Sequence, residues 1–196
     1  MTTADRRRDL AFLAAGLAVV AGAAIWLRTL GHPWICQCGT VKLWYFETYT
    51  AEDSQHLIDW YTPSHVIHGF LFYFALWLVA RRLPLSARAF IAVVVETAWE
   101  IVENLPVMIE RYREVTISLN YFGDSVINSV ADIVAMLVGF FLAARLPVWL
   151  SVVICIAMEV IVGAIIRDNL TLNVLMLVYP LDAVRDWQAA IAPALP

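Results

Sequence analysis

An apolar run from Phe90 to Pro106 carries Glu96, Glu100 and Glu103 together with Asn104. Ionised carboxylates are costly in hydrocarbon unless they are paired, protonated or bound to a metal. At about 100° per residue the three glutamates fall within roughly 60° of one another, so a helix here presents one acidic stripe. Other helices must cover that stripe and supply its partners.

The rest of the chain has the composition to do so. Of 196 residues, 62% are hydrophobic and only 15% charged, with a mean hydropathy of +0.74. Several runs approach the ~20 apolar residues that cross a bilayer. The expected fold is all-α: a polytopic transmembrane helical bundle forming a single integral membrane domain. Five spans are expected, at about 10–28, 63–81, 88–107, 124–144 and 148–166. A loop over 31–62 and an interfacial or re-entrant tail over 170–196 complete it. A net charge of −4 with no Lys/Arg cluster argues against a nucleic-acid partner. The lipid bilayer is the expected one.

The basic head with Arg6, Arg7 and Arg8, followed by an apolar run to Leu27, reads as an uncleaved signal anchor. A cleavable signal peptide ending at Ala21-Gly22-Ala23 is the alternative. The long loop carries Trp34, Trp44, Tyr45, Tyr49, Trp60 and Tyr61, and its length and interfacial aromatics predict a cap over the helix ends. Cys36, Cys38 and Cys155 form no disulfide framework or zinc-ribbon spacing. His32, Cys36 and Cys38 read mainly as packing, with metal ligation as the alternative.

Thr62 and Pro63 signal a helix start, with Thr62 as the cap. His65 and His68 follow one turn apart, a pair that suits a metal or an acid–base couple. Two interfacial histidines bonded to water and carbonyls are the plainer alternative. Pro106 is expected to bend the acidic helix. Asp124, Asn128 and Asp132 lie four apart on one face, with Asp124 read as an N-cap and Asp132 too deep for that role.

The basic head and the placement of Arg81, Arg82, Arg88 and Arg145 predict a cytoplasmic amino terminus, with the long loop on the outer, periplasmic side. At ~1.5 Å per residue, His68, Glu100, Asn128, Asp132 and Glu159 then lie roughly 6–12 Å from the outer helix ends. The acids outnumber Arg167 and the two imidazoles, so protons, Arg111 or Arg113 folded inward, or a divalent metal ion must balance them. A hydrogen-bonded network that only glues helices is the competing explanation.

The runs Gly31-His32-Pro33-Trp34-Ile35-Cys36-x-Cys38-Gly39, Thr62-Pro63-Ser64-His65-x-x-His68-Gly69-Phe70, Trp99-Glu100-Ile101-Val102-Glu103-Asn104, Gly123-Asp124-Ser125-x-x-Asn128-Ser129 and Arg167-Asp168-Asn169-Leu170 resemble an uncharacterised bacterial inner-membrane family, a domain-of-unknown-function group. The resemblance spans nearly the whole chain and implies a multi-pass membrane protein with no assigned activity. More loosely, His on one helix, Glu on the next, and Asp and Asn on a third resemble VanZ-like membrane proteins.

Two functions follow from the residues. One is a metal-assisted hydrolase or transferase acting on a lipid or envelope precursor. Its catalytic candidates are Glu96, Glu100, Glu103 and Asp132, with His65, His68, Glu100 and Asp132 as metal ligands, Glu103 or Glu96 as general base, and Asp124, Asn128, Arg167 and Asp168 in binding roles. The other is a non-enzymatic transporter or assembly factor whose carboxylates carry protons or pack helices.

Overall fold

A computed structural model describes residues 2–48, 50–116 and 120–190. Tyr49, part of the 115–123 loop and the end of the tail lie outside the described residues. Among the described residues eight helices make up the fold: α1 (Thr3–Thr29), α2 (Thr62–Ala80), α3 (Leu85–Glu103), α4 (Pro106–Val115), α5 (Val126–Ala143), α6 (Val148–Ile166), α7 (Leu170–Val178) and α8 (Asp182–Ala189). Four of them, α1, α2, α5 and α6, are long and apolar enough to cross a membrane. The protein is a helical polytopic bundle. The fifth expected span, α3, matches α2 and α6 at 19 residues, but Arg88, Glu96, Glu100 and Glu103 keep its composition from marking it as one.

α1 begins earlier than the apolar run does, because Thr2 and Asp5 form a capping box, each side chain 3.1 Å from the other's amide. The basic head is therefore the first two turns of the helix. Asp9 then accepts the Ser86 hydroxyl at 2.7 Å, tying α1 to α3.

α2 is capped by Asp59 and not by Thr62. The Asp59 carboxylate accepts the amides of Tyr61 at 2.8 Å and Thr62 at 3.1 Å, while the Thr62 hydroxyl accepts the Asp59 amide at 3.0 Å. Pro106 ends a helix where a bend was expected. α3 closes at Glu103, Asn104 caps it, and Pro106 opens α4, where its missing N–H costs nothing. Asp124 is likewise not the cap of α5: Ser125 accepts the Asn128 amide at 3.3 Å, which frees the Asp124 carboxylate for the interior.

α2 and α5 are the closest pair. A methyl group at Gly69 would lie 2.0 Å from the Met136 carbonyl oxygen, and one at Gly139 would lie 2.0 Å from that of Val66. Only glycine lets the two backbones approach this far. Beside this contact Ala92, Val93, Ile133, Met136 and Phe140 pack α3 onto α5. α6 buries only Val162 and Ile166, so most of its apolar surface faces outward.

The 30–61 loop lies across the amino-terminal end of α5. Ser125, Val126 and Ile127 donate their amides to the carbonyls of Ser54, Pro33 and Trp34 at 3.1, 2.8 and 3.1 Å. The Asn128 side chain donates to the His56 carbonyl at 2.7 Å. These bonds meet backbone donors that a helix start leaves open. Within the loop Cys36 and Cys38 are joined as a disulfide, a single local bridge and not the framework that the spacing of three cysteines argues against.

Candidate functional site

His65 and His68 lie one turn apart on α2, and Glu96 and Glu100 one turn apart on α3, so the two pairs meet face to face. His65 Nδ1 is 2.7 Å from Glu96 Oε1, and His68 Nδ1 is 3.1 Å from both Glu96 oxygens. His65 Nδ1 is also 3.4 Å from Glu100 Oε1, and His65 Nε2 is 3.9 Å from Asp132 Oδ2 on α5. Glu96 and Glu100 are fully buried. Two trios have ligand atoms within 4.8 Å of one another: His65, His68 and Glu96, and His65, Glu100 and Glu103. His65 belongs to both.

The cluster is short of partners. Both Glu100 oxygens, Asp132 Oδ1 and Thr97 Oγ1 are buried and accept no hydrogen bond among the described residues. Such groups are uncommon in folded proteins and mark an absent partner. The arginines do not supply it. Arg111 donates to the Leu177 carbonyl, Arg113 to that of Tyr121, and Arg167 to that of Trp187 while lying over its ring. Among the described residues the cationic side chains within 4 Å of Glu96, Glu100 and Asp132 are imidazoles.

Beside these residues is a cavity of about 40 Å³, lined among others by His65, Glu103, Tyr112, Tyr121, Asp124, Asn128 and Asp132. That space suits an ion with water, not an acyl chain. The Tyr112 hydroxyl lies 3.0 Å from Glu103 Oε1 and from Asn173 Oδ1. Asp124 accepts Asn104 Nδ2 at 2.7 Å and the Tyr121 hydroxyl at 3.1 Å. Burial raises Asp124 above the usual carboxylate range and Tyr121 well above its own, so the phenol stays a donor.

His65, Glu96, Glu100, Asp132, Glu103, Asp124 and Asn128 are thus brought to one end of the bundle, with His68 behind Glu96. Arg167 stands apart. Asp168 meets the cavity wall through the Tyr61 hydroxyl, at 3.3 Å, and the Asn173 side chain. Glu159 shares the depth of the cluster but not its direction: its oxygens accept the Leu170 and Thr171 amides at 3.1 and 3.0 Å and serve the start of α7. His32 is no ligand candidate. Its ring nitrogens are engaged by the carbonyls of Asp124 and Asn104 at 2.9 and 3.0 Å. The tyrosines of α4 and the adjoining loop, Tyr112 and Tyr121, were not legible as site residues, since nothing in their spacing points them at an acid.

These features define a polytopic helical membrane protein with a buried histidine–carboxylate cluster beneath a loop at one end. The chain belongs to the family described as "Protein of unknown function (DUF2585)", whose model matches residues 27–190. It is 61% identical over 185 residues to a UPF0314 protein of Paracoccus denitrificans, covering 94% of this chain and 95% of that one. It is 55% identical over 186 residues to one of Rhizobium meliloti (95% and 94% covered) and 50% identical over 189 residues to one of Agrobacterium fabrum (96% of each). No solved structure matches the chain.

Proposed function

We propose that the cluster holds a divalent cation and that the protein is a membrane-embedded hydrolase or transferase acting on a lipid or envelope precursor. The observation that carries this reading is the set of unpartnered buried oxygens on Glu100 and Asp132 beside His65. In this reading Glu96 accepts a hydrogen bond from the Nδ1–H of His65 and fixes the tautomer, as carboxylates behind metal-bound histidines commonly do. The lone pair of Nε2 is then turned toward Asp132. His65, Asp132 and Glu100 are the proposed ligands, Glu100 turning from the Nδ1 side of the ring, where its Oε1 lies 3.4 Å away, to meet the ion, with His68 sharing the Glu96 support. A bound ion would lower the pKa of a water molecule for attack on an ester or phosphoryl centre. Glu103, beside Tyr112 on the cavity wall, is the base that receives the water's proton.

The location follows from charge. Arg6, Arg7 and Arg8 in the first turns of α1, and Arg81, Arg82 and Arg145 on short connections, lie at helix ends remote from the cluster, which supports a cytoplasmic amino terminus and a pocket that opens outward from a bacterial inner membrane. The cavity as it stands takes an ion and water, so the reacting group of a substrate enters at the mouth beneath the loop.

Detergent-purified protein with Cys36 and Cys38 both changed to Ser should retain a divalent metal on elemental analysis, and Glu100→Gln should lose most of it while remaining folded. A second reading, a proton-bearing network that fixes helix packing, draws on the Glu96 carboxylate shared by both imidazoles. If it holds, Glu100→Gln leaves metal content at the blank level in both proteins and is neutral or stabilising, since it removes a buried charge.

A further inference from the structure

The loop between α1 and α2 carries a second cluster with a different donor set. Cys36, Cys38, Glu52 and His56 each place one ligand atom within 4.8 Å of all the others. Cys36 and His56 are buried. The chain is shaped to present the sulfurs: the Gly39 amide donates to the Cys36 carbonyl at 2.9 Å, the Cys38 amide to Cys36 Sγ at 3.1 Å, and Gly39 turns the strand at φ +80°. A left-handed residue there favours glycine. Lys42 pairs with Glu52, whose Oε2 lies 3.0 Å from His56 Nε2.

We propose that, in its dithiol form, the Cys36–Cys38 pair together with His56 and Glu52 binds a zinc ion that pins this loop over the membrane pocket. Two sulfurs, an imidazole and a carboxylate are a tetrahedral donor set suited to zinc. Bonds of about 2.3 Å to sulfur and about 2.0–2.2 Å to nitrogen and oxygen require ligand atoms about 3.3–3.8 Å apart. Separations already within 4.8 Å need only side-chain adjustment to reach that range. Two thiolates and a carboxylate carry three negative charges, the ion two positive, and Lys42 meets the one left over. If His56 binds through Nδ1, the hydrogen bond given up is the long one, 3.3 Å from the Lys42 amide. The pocket feels the site directly, because the His56 carbonyl holds the Asn128 side chain. A disulfide ties up both sulfurs, so bridge and ion exclude each other.

Cobalt is the probe, because a thiolate–cobalt bond gives a near-ultraviolet charge-transfer band that the sulfur-free membrane pocket cannot produce. The protein carries Cys155→Ala, is kept in detergent with a phosphine reductant, and is titrated with Co²⁺ and then Zn²⁺. The expected result is a charge-transfer band saturating at about one cobalt per chain, bleached by zinc, and lost when Cys36 and Cys38 are changed to Ser. Glu52→Gln, at a partly exposed position, should weaken cobalt at least tenfold without unfolding the protein, and His56→Ala should weaken it further. No band in protein whose two thiols titrate as free would overturn the proposal. So would a band of unchanged affinity in Glu52→Gln and His56→Ala. The result is independent of metal content in the pocket, and each reading can fail alone.

Discussion

Asp168 lies just past α6, with one oxygen on the Asn169 amide at 2.9 Å and the other near Tyr61. Burial raises its carboxyl from 3.8 to about 6. A raised acid is favoured neutral in the fold. Below the unfolded value its stability contribution is fully present; as pH rises toward 6 the unfolded chain ionises first and stability falls; above that the loss is constant, ~3 kcal/mol at most. Asp168→Asn should therefore raise the thermal midpoint at pH 8 and leave it nearly unchanged at about pH 3, below the unfolded value, whereas an equal gain at both would remove protonation as the cause. At this scale the sequence spoke unevenly. The period of Glu96, Glu100 and Glu103 placed them on one face, and the excess of acid over cation was plain. Glu159 matched them in depth, but depth says nothing of the direction a helix turns its side chain. His56 and Glu52 sit in a loop without a period to read, so their meeting with the cysteines is visible only in three dimensions.

Among the elements, helix ends departed from expectation wherever a neighbouring residue offered a better cap. Asp59 outcompetes Thr62 because its carboxylate reaches two amides, and Ser125 displaces Asp124, whose carboxylate is claimed by Asn104. The four helices long and apolar enough to cross a membrane were legible from their apolar runs. Their partners were not, since one glycine in an apolar helix resembles another until its neighbour is known. Gly139→Ala separates these cases: the new methyl group meets backbone that has nowhere to go, which should cost about 1–3 kcal/mol in detergent unfolding. Gly22→Ala, with nothing within 4 Å of the added carbon, should be neutral or slightly stabilising. Equal midpoints for the two variants would show that α2 and α5 are not held in backbone contact.

For the whole molecule, orientation is the testable quantity. With Cys36, Cys38 and Cys155 removed, a cysteine at Glu47 should react with a membrane-impermeant maleimide in spheroplasts, and one at Arg82 only after lysis. The reverse pattern would turn the pocket to the cytoplasm. The glycine contact bears on the pocket in another way. Gly69 lies one turn below His65 on α2, and Met136, which faces it, one turn below Asp132 on α5. Two helices whose backbones touch cannot spread to suit a guest, so the gap between these two side chains is set before anything enters it. For the proposed ion the consequence is selection by ligand count. A frame that offers one imidazole and a few carboxylates would suit a four-coordinate cation better than calcium, which takes six to eight oxygens.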